Sequence, residues 1–208
     1  MSSAALSNRY TPEEYLALER KAEYKSEYFN GFITAMSGAS REHNLIAVNM
    51  TSDLNAQLRD RKCEVYSGDM RVLISSTGLY TYPDVSVVCS QPQFLDKEVD
   101  TLLNPTVVVE VLSPSTETYD RGAKFAHYRR IESLQDYVMI SQEEMHVEHY
   151  TKQGNGWFLS VLENPEAILE LPSIGCKVAL SEIYRKVVFK EPIAVHDRIA
   201  HERGLSPH

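Results

Sequence analysis

The chain has 208 residues, 43% of them apolar and 24% charged, the range of an ordinary globular protein long enough for one substantial core. A formal net charge of −8 excludes a protein that coats nucleic acid by bulk electrostatics, because phosphate binding draws on clustered Lys and Arg, so any such contact has to be local. The first residues, MSSAALSNRYTPEEY, lack a basic start followed by an apolar stretch, and no run approaches the ~20 apolar residues of a membrane helix; a soluble, cytoplasmic protein without a membrane partner is expected.

In chain order, Thr11-Pro-Glu-Glu14 combines an N-cap threonine, a proline at the first helical position and a capping-box glutamate, so a short helix should follow. Residues 27–36 place Asn30-Gly31 between aromatic and β-branched residues, the strongest short-range hairpin signal, and read as an accessory hairpin. From residue 40 to 61, Ile46, Met50, Leu54 and Leu58 recur at four-residue steps, the buried face of a long helix. His43 lies at the inward edge of that stripe, where a buried, hydrogen-bonded histidine is expected.

Three strand-like segments, 64–75, 84–89 and 106–112, are rich in Val, Ile, Leu or Tyr and are separated by Ser76-Thr77-Gly78 and Gln91-Pro92. The last two are apolar on both faces, as central strands covered by helices are. Residues 117–131 read as a helix and 135–141 as a strand, which completes an αβββαβ order. Segments 146–151 and 157–162 flank Gln153-Gly-Asn-Gly156, a second hairpin, and Ser181 starts a short helix. No repeat or linker divides the chain. One domain over 10–192 is expected, with an α/β fold and a mixed central sheet flanked by helices, and with tails at 1–9 and 193–208; the part from Ala194 onward reads as dispensable.

Cys63, Cys89 and Cys176 are an odd number without metal-ligand spacing and read as buried structural thiols. Two local basic clusters stand out, Arg59/Arg61/Lys62 and Arg121/Lys124/Arg129/Arg130, the first of which reads as a solvated helix end.

Glu110 lies inside the strand Val107-Val-Val-Glu-Val-Leu112, and an unpaired ionised carboxylate there would cost several kcal/mol or shift until neutral. Asp84 opens the neighbouring strand directly after Pro83, whose missing N–H confines it to a strand start. Two carboxylates on paired strands can converge to offer the hard oxygen ligands that Mg²⁺ or Mn²⁺ prefers. The competing explanations are a buried ion pair for Glu110 and a local turn cap for Asp84.

The ordered set Tyr82-Pro83-Asp84, Val109-Glu110-Val111-Leu112-Ser113-Pro114-Ser115-Thr116 and Asp120-Arg-Gly-Ala-Lys124-Phe-Ala-His-Tyr128 resembles the Uma-type restriction endonuclease family within the PD-(D/E)XK nuclease superfamily, over roughly residues 10–185. The resemblance implies a restriction-endonuclease-like core, a metal-dependent nuclease acting on DNA, Asp84 and Glu110 as the two acids, and the backbone carbonyl of Val111 as a further metal ligand. One departure stands out: the superfamily pattern has lysine two residues after the second acid, and this chain has Leu112. Lys124, on the following helix, is the substitute expected to stabilise developing negative charge, against the alternative of a surface i,i+4 pair with Asp120 worth about 0.2–0.5 kcal/mol. Asp120 itself fits either an orienting role or a favourable place near a helix start. Gly122, costing about 1 kcal/mol in a helix, suggests a close packing contact or ligand approach. Tyr128 reads as core packing above the site. Cleavage of both DNA strands by related folds suggests a homodimer. The rival functions are a non-catalytic nucleic-acid or protein-binding module on the nuclease fold, and a hydrolase of small phosphoesters.

Overall fold

The structure is a computed structural model that describes residues 9–114 and 116–189; residues 1–8 and the tail from 190 onward, including the part read as dispensable, lie outside the described residues. Thr11 caps helix α1 (Pro12–Glu19) through the full capping box, accepting from the Glu14 N–H while the Glu14 carboxylate accepts from its own. Strands β1 (Ser26–Phe29) and β2 (Phe32–Ala35) form the expected hairpin, with Asn30 and Gly31 at φ 49° and 87°, the two left-handed positions a type I′ turn demands. The hairpin is not accessory. β1 pairs with β5 (Leu79–Thr81), and a five-stranded sheet runs β2-β1-β5-β4-β7, where β4 is Arg71–Ile74 and β7 is Thr101–Leu102.

Helix α2 (Arg41–Leu58), capped by Ser40, buries Ile46, Met50, Leu54 and Leu58 as their spacing requires. They pack on a six-stranded sheet whose order is β11-β10-β9-β8-β6-β3. Its members are β3 (Glu64–Ser67), β6 (Val85–Val88), β8 (Val107–Leu112), β9 (Asp136–Ser141), β10 (Val147–Gln153) and β11 (Gly156–Leu162). β8 and β9 run parallel and the other neighbours antiparallel, so α2, β3, β6, β8, the 117–128 helical segment and β9 reproduce the αβββαβ core. All six residues of β8 are buried: Val107, Val109 and Val111 face α2, and Val108 and Leu112 face Tyr128, Tyr137 and Met139 on the other side.

Several sequence expectations change. The segment 64–75 is two strands, because the chain turns at Gly68-Asp69, with Met70 N–H donating to Ser67 O at 3.1 Å, and passes from the larger sheet to the smaller. The helix over 117–131 is α3 (Glu117–Tyr119), a π-helical turn Asp120–Lys124 and α4 (Phe125–Tyr128). A further hairpin, β12 (Ile168–Leu171) with β13 (Cys176–Ala179), packs on the α2 side, and the short helix α5 (Leu180–Ile183) starts before Ser181, after Ala179. Cys63 and Cys89 are joined by a disulfide and Cys176 stays free and buried; the expectation of separate thiols fails because β3–β6 pairing sets Cys63 and Cys89 one step beyond the Glu64–Val88 pair. Among the described residues, no helix is long and apolar enough to cross a membrane.

Two buried polar links tie outlying parts to the core. Asp136 accepts from His149 Nε2 at 2.6 Å and from the Ser173 hydroxyl of the β12–β13 turn. Asn49, 7% exposed on α2, donates to Ile183 O at 3.0 Å and Arg185 O at 2.9 Å. Asn49→Ala strands both carbonyls and is expected to cost about 1–3 kcal/mol. At roughly 2–4 °C per kcal/mol, the loss should be plain in thermal unfolding followed by circular dichroism, and an unchanged Tm would show that the link contributes nothing.

Candidate active site

By strand alternation Glu110 shares a face of β8 with Val108 and Leu112, the face that residues 117–128 cover. It is 3% exposed. The Tyr128 hydroxyl donates to its Oε1 at 3.0 Å, and Lys124 Nζ lies 2.9 Å from the same oxygen. Within the π-helical turn, Asp120 and Lys124 are both buried and 3.3 Å apart; such locally widened turns recur at functional sites. Lys124 therefore comes to Glu110 from the helix, over the position Leu112 vacates by packing into the core. The pair with Asp120 exists, but inside the protein rather than on the helix surface.

Asp84 sits at the bend before β6, where the β6–β8 ladder ends at the Val85–Val109 pair. Its Oδ2 takes over as the acceptor for the next free donor, Val111 N–H, at 2.7 Å, and lies 3.3 Å from His43 Nε2. It is a cap, as a post-proline aspartate often is, but one that spans the sheet rather than a local turn. Asp84, Glu110, Val111, Asp120 and Lys124 all line one cleft of ≈ 1090 Å³. The protein contacts of the two acids fall on Oδ2 of Asp84 and Oε1 of Glu110, which leaves Oδ1 and Oε2 without a hydrogen bond among the described residues.

The charges are unbalanced. Burial holds the Glu110 carboxyl well above the usual carboxylate range, Lys124 opposes this, and Asp120 and Asp84 add to it. Burial alone would lower the Lys124 ammonium, but Glu110, Tyr128, Glu27 and Asp120 outweigh it and keep the group charged. Asp120 is likewise raised by burial against the pull of Lys124. One ammonium thus serves Glu27, Glu110 and Asp120, an excess of acid that a divalent cation would relieve. Among the described residues no three His, Cys, Asp or Glu side chains gather round one ligand position. A cation would rest on the two spare carboxylate oxygens, with carbonyl, water and phosphate oxygens completing the shell, a donor set that fits Mg²⁺ or Mn²⁺.

Of the two basic clusters only Lys124 lines the cleft; Arg61 donates to Ile174 O, and Arg121 pairs with Glu117 and Glu148. Gly122 is exposed, and a Cβ there would meet nothing within 4 Å, so the expected close contact is absent and the structure does not explain the glycine. Tyr128 is fully buried against Tyr137, and its hydroxyl reaches Glu110 as well. Sequence reasoning treated His43 as core and overlooked Glu27. Glu27 lies 3.4 Å from Lys124 and accepts from the Thr81 hydroxyl. Its one sequence signal is a carboxylate two positions before Phe29 on an alternating hairpin strand.

A mixed sheet with an αβββαβ core, two acids at neighbouring strands and a lysine brought over them by the next helix defines the class of restriction-endonuclease-like folds. Residues 12–181 match the family model described as "Putative restriction endonuclease" (Uma2), and the chain belongs to that family. Two relatives from Synechocystis are the uncharacterized protein slr1290, 40% identical over 87% of this chain and 94% of its own length, and the uncharacterized protein sll1609, 38% identical over 82% of this chain and 97% of its own length. A crystal structure from Anabaena variabilis, described as a "putative nuclease belonging to DUF820", shares the fold with TM-score 0.70 and 21% identity over 86% of this chain and 99% of that one.

Because the folded-state pKa of Glu110 is raised, its ionisation penalises folding: the penalty is absent below the unfolded carboxylate value near about pH 4 and grows as pH rises. Glu110→Gln keeps acceptor and donor without the charge. In chelator its Tm is expected to match the wild type at acid pH and to exceed it increasingly toward neutral pH; a variant less stable at every pH would contradict this account of the site.

Proposed function

We propose that the protein is an endonuclease that hydrolyses DNA phosphodiester bonds using Mg²⁺ or Mn²⁺, held by Asp84, Glu110 and the main-chain carbonyl of Val111. The observation that carries this reading is the 2.9 Å contact of Lys124 with Glu110 in the cleft that Asp84 also lines. A buried ammonium fixed beside the second acid supports Lys124 in the role that the superfamily gives to its strand lysine. When bound, the cation supplies a water of lowered pKa and positive charge beside the scissile phosphate. Lys124 adds a hydrogen-bond donor and a charge for the oxygens that become more negative in the transition state. Tyr128 fixes the Glu110 carboxylate from behind, and the Asp84 bond to Val111 N–H fixes the strand end. His43 Nε2 supports Asp84 from α2.

A homodimer is supported by the edge strand β11, which carries no charged residue and exposes Phe158, Leu159 and Val161. Unprotected edges of this kind seek a further strand.

Cleavage of DNA oligonucleotides is expected in Mg²⁺ or Mn²⁺ and should stop in chelator. Glu110→Ala should abolish it and Lys124→Ala should slow it by about 10²–10³-fold, while calorimetric titration of Asp84→Asn should lose the wild-type affinity for Mg²⁺. A purified, folded protein that cuts no DNA with any divalent metal sinks the assignment. A second expectation concerns assembly: Val161→Lys, which puts charge on the β11 edge, should shift the protein from dimer to monomer in sedimentation, and a wild type that is already monomeric removes the edge-strand argument.

A further inference from the structure

The β1–β2 hairpin presents two faces of opposite use. Tyr28 and Ile33 turn inward onto Tyr15 and Tyr80. Glu27, Phe29, Phe32 and Thr34, which alternate with them and pair across the hairpin as Phe29–Phe32 and Glu27–Thr34, all line the cleft. Phe29 and Phe32 remain 41% and 49% exposed. Each ring is held in place from one side: Phe29 stands edge-on to the His127 ring at 4.8 Å, and the Arg9 guanidinium lies 5.4 Å from the Phe32 centroid. Phe29 lies two strand positions beyond Glu27, which touches Lys124, so the ring pair stands ~7 Å along the strand from the site.

The rest of the cleft is poorly suited to a duplex backbone. Its acidic and basic lining comprises six carboxylates, Glu23, Glu27, Asp69, Asp84, Glu110 and Asp120, against Lys25, Lys124 and His43, with no arginine, and His43 already faces Asp84. Both lysines are already in ion pairs, with Asp69 and Glu110. Duplex binding through phosphates needs a track of available cations, whereas unpaired bases bind by stacking on aromatic faces, largely independent of sequence.

We propose that Phe29 and Phe32 form a stacking platform for unpaired nucleobases, so that the substrate is single-stranded DNA, with a phosphate at the carboxylates and the neighbouring base against the ring pair. This rests on the nuclease reading of the cleft and assigns its substrate class. Binding is measured apart from cleavage, in Ca²⁺, which the same oxygen ligands accept. The probes are a short fluorescein-labelled single strand, its duplex, and the single strand with 2-aminopurine. The single strand is expected to bind at least about tenfold more tightly than the duplex with a shallow salt dependence, and 2-aminopurine emission is expected to be quenched on binding. Phe29→Ala and Phe32→Ala should each weaken binding roughly five- to 150-fold and lose the quenching, while Phe29→Trp and Phe32→Trp retain both. Tighter duplex binding, or alanine variants with wild-type affinity and quenching, overturns the platform. The two readings fail separately: cleavage of duplex at full rate by both alanine variants defeats the platform and leaves the nuclease standing. Stacked single-strand binding without cleavage in any divalent metal defeats the nuclease and leaves the platform.

Discussion

An acid in the middle of a fully buried strand is the constraint on which the site depends. β8 has helix on one face and a helical turn on the other, so Glu110 is almost fully buried and its ionisation depends on what the covering segment provides. The segment provides one ammonium and one phenol. Lys124 supplies charge and Tyr128 a hydrogen bond, both to a single oxygen, and the other oxygen is left for the cleft. The covering helix is irregular at this point: Asp120 and Lys124 both lie in its π-helical turn and both are buried.

Such a site is a local destabilisation sustained by the rest of the fold. Three acids share one cation, and burial raises Glu110 and Asp120 alike. The surrounding structure bears this because β8 and its neighbours are packed tightly with Val, Leu, Tyr and Met on both sides. Proteins often place unfavourable charge where function uses it, at a cost to stability.

The second sheet gives the cleft its other wall. The chain leaves the large sheet at Gly68-Asp69, builds β4 and β5, and returns through Pro83 to Asp84. That excursion gives β1 a partner in β5 and so brings Glu27 and the Phe29–Phe32 pair over the acids of the first sheet. An element that reads as accessory from its turn is therefore part of the site, because its placement depends on a strand of three residues, Leu79–Thr81, too short to signal itself.

The sequence by itself determined the elements with strong local signals: the capping box of Thr11, the Asn30-Gly31 turn, the four-residue stripe of α2, and the apolar runs around Asp84 and Glu110. Each of these is decided by neighbours within a few residues. Only the tertiary structure decided that Cys63 meets Cys89, that Asp84 caps Val111 on the neighbouring strand, that Lys124 reaches Glu110, and that His43 and Glu27 belong to the cleft. Those contacts join residues from 14 to 97 positions apart in the chain, and strand pairing and helix packing, rather than any local preference, select them.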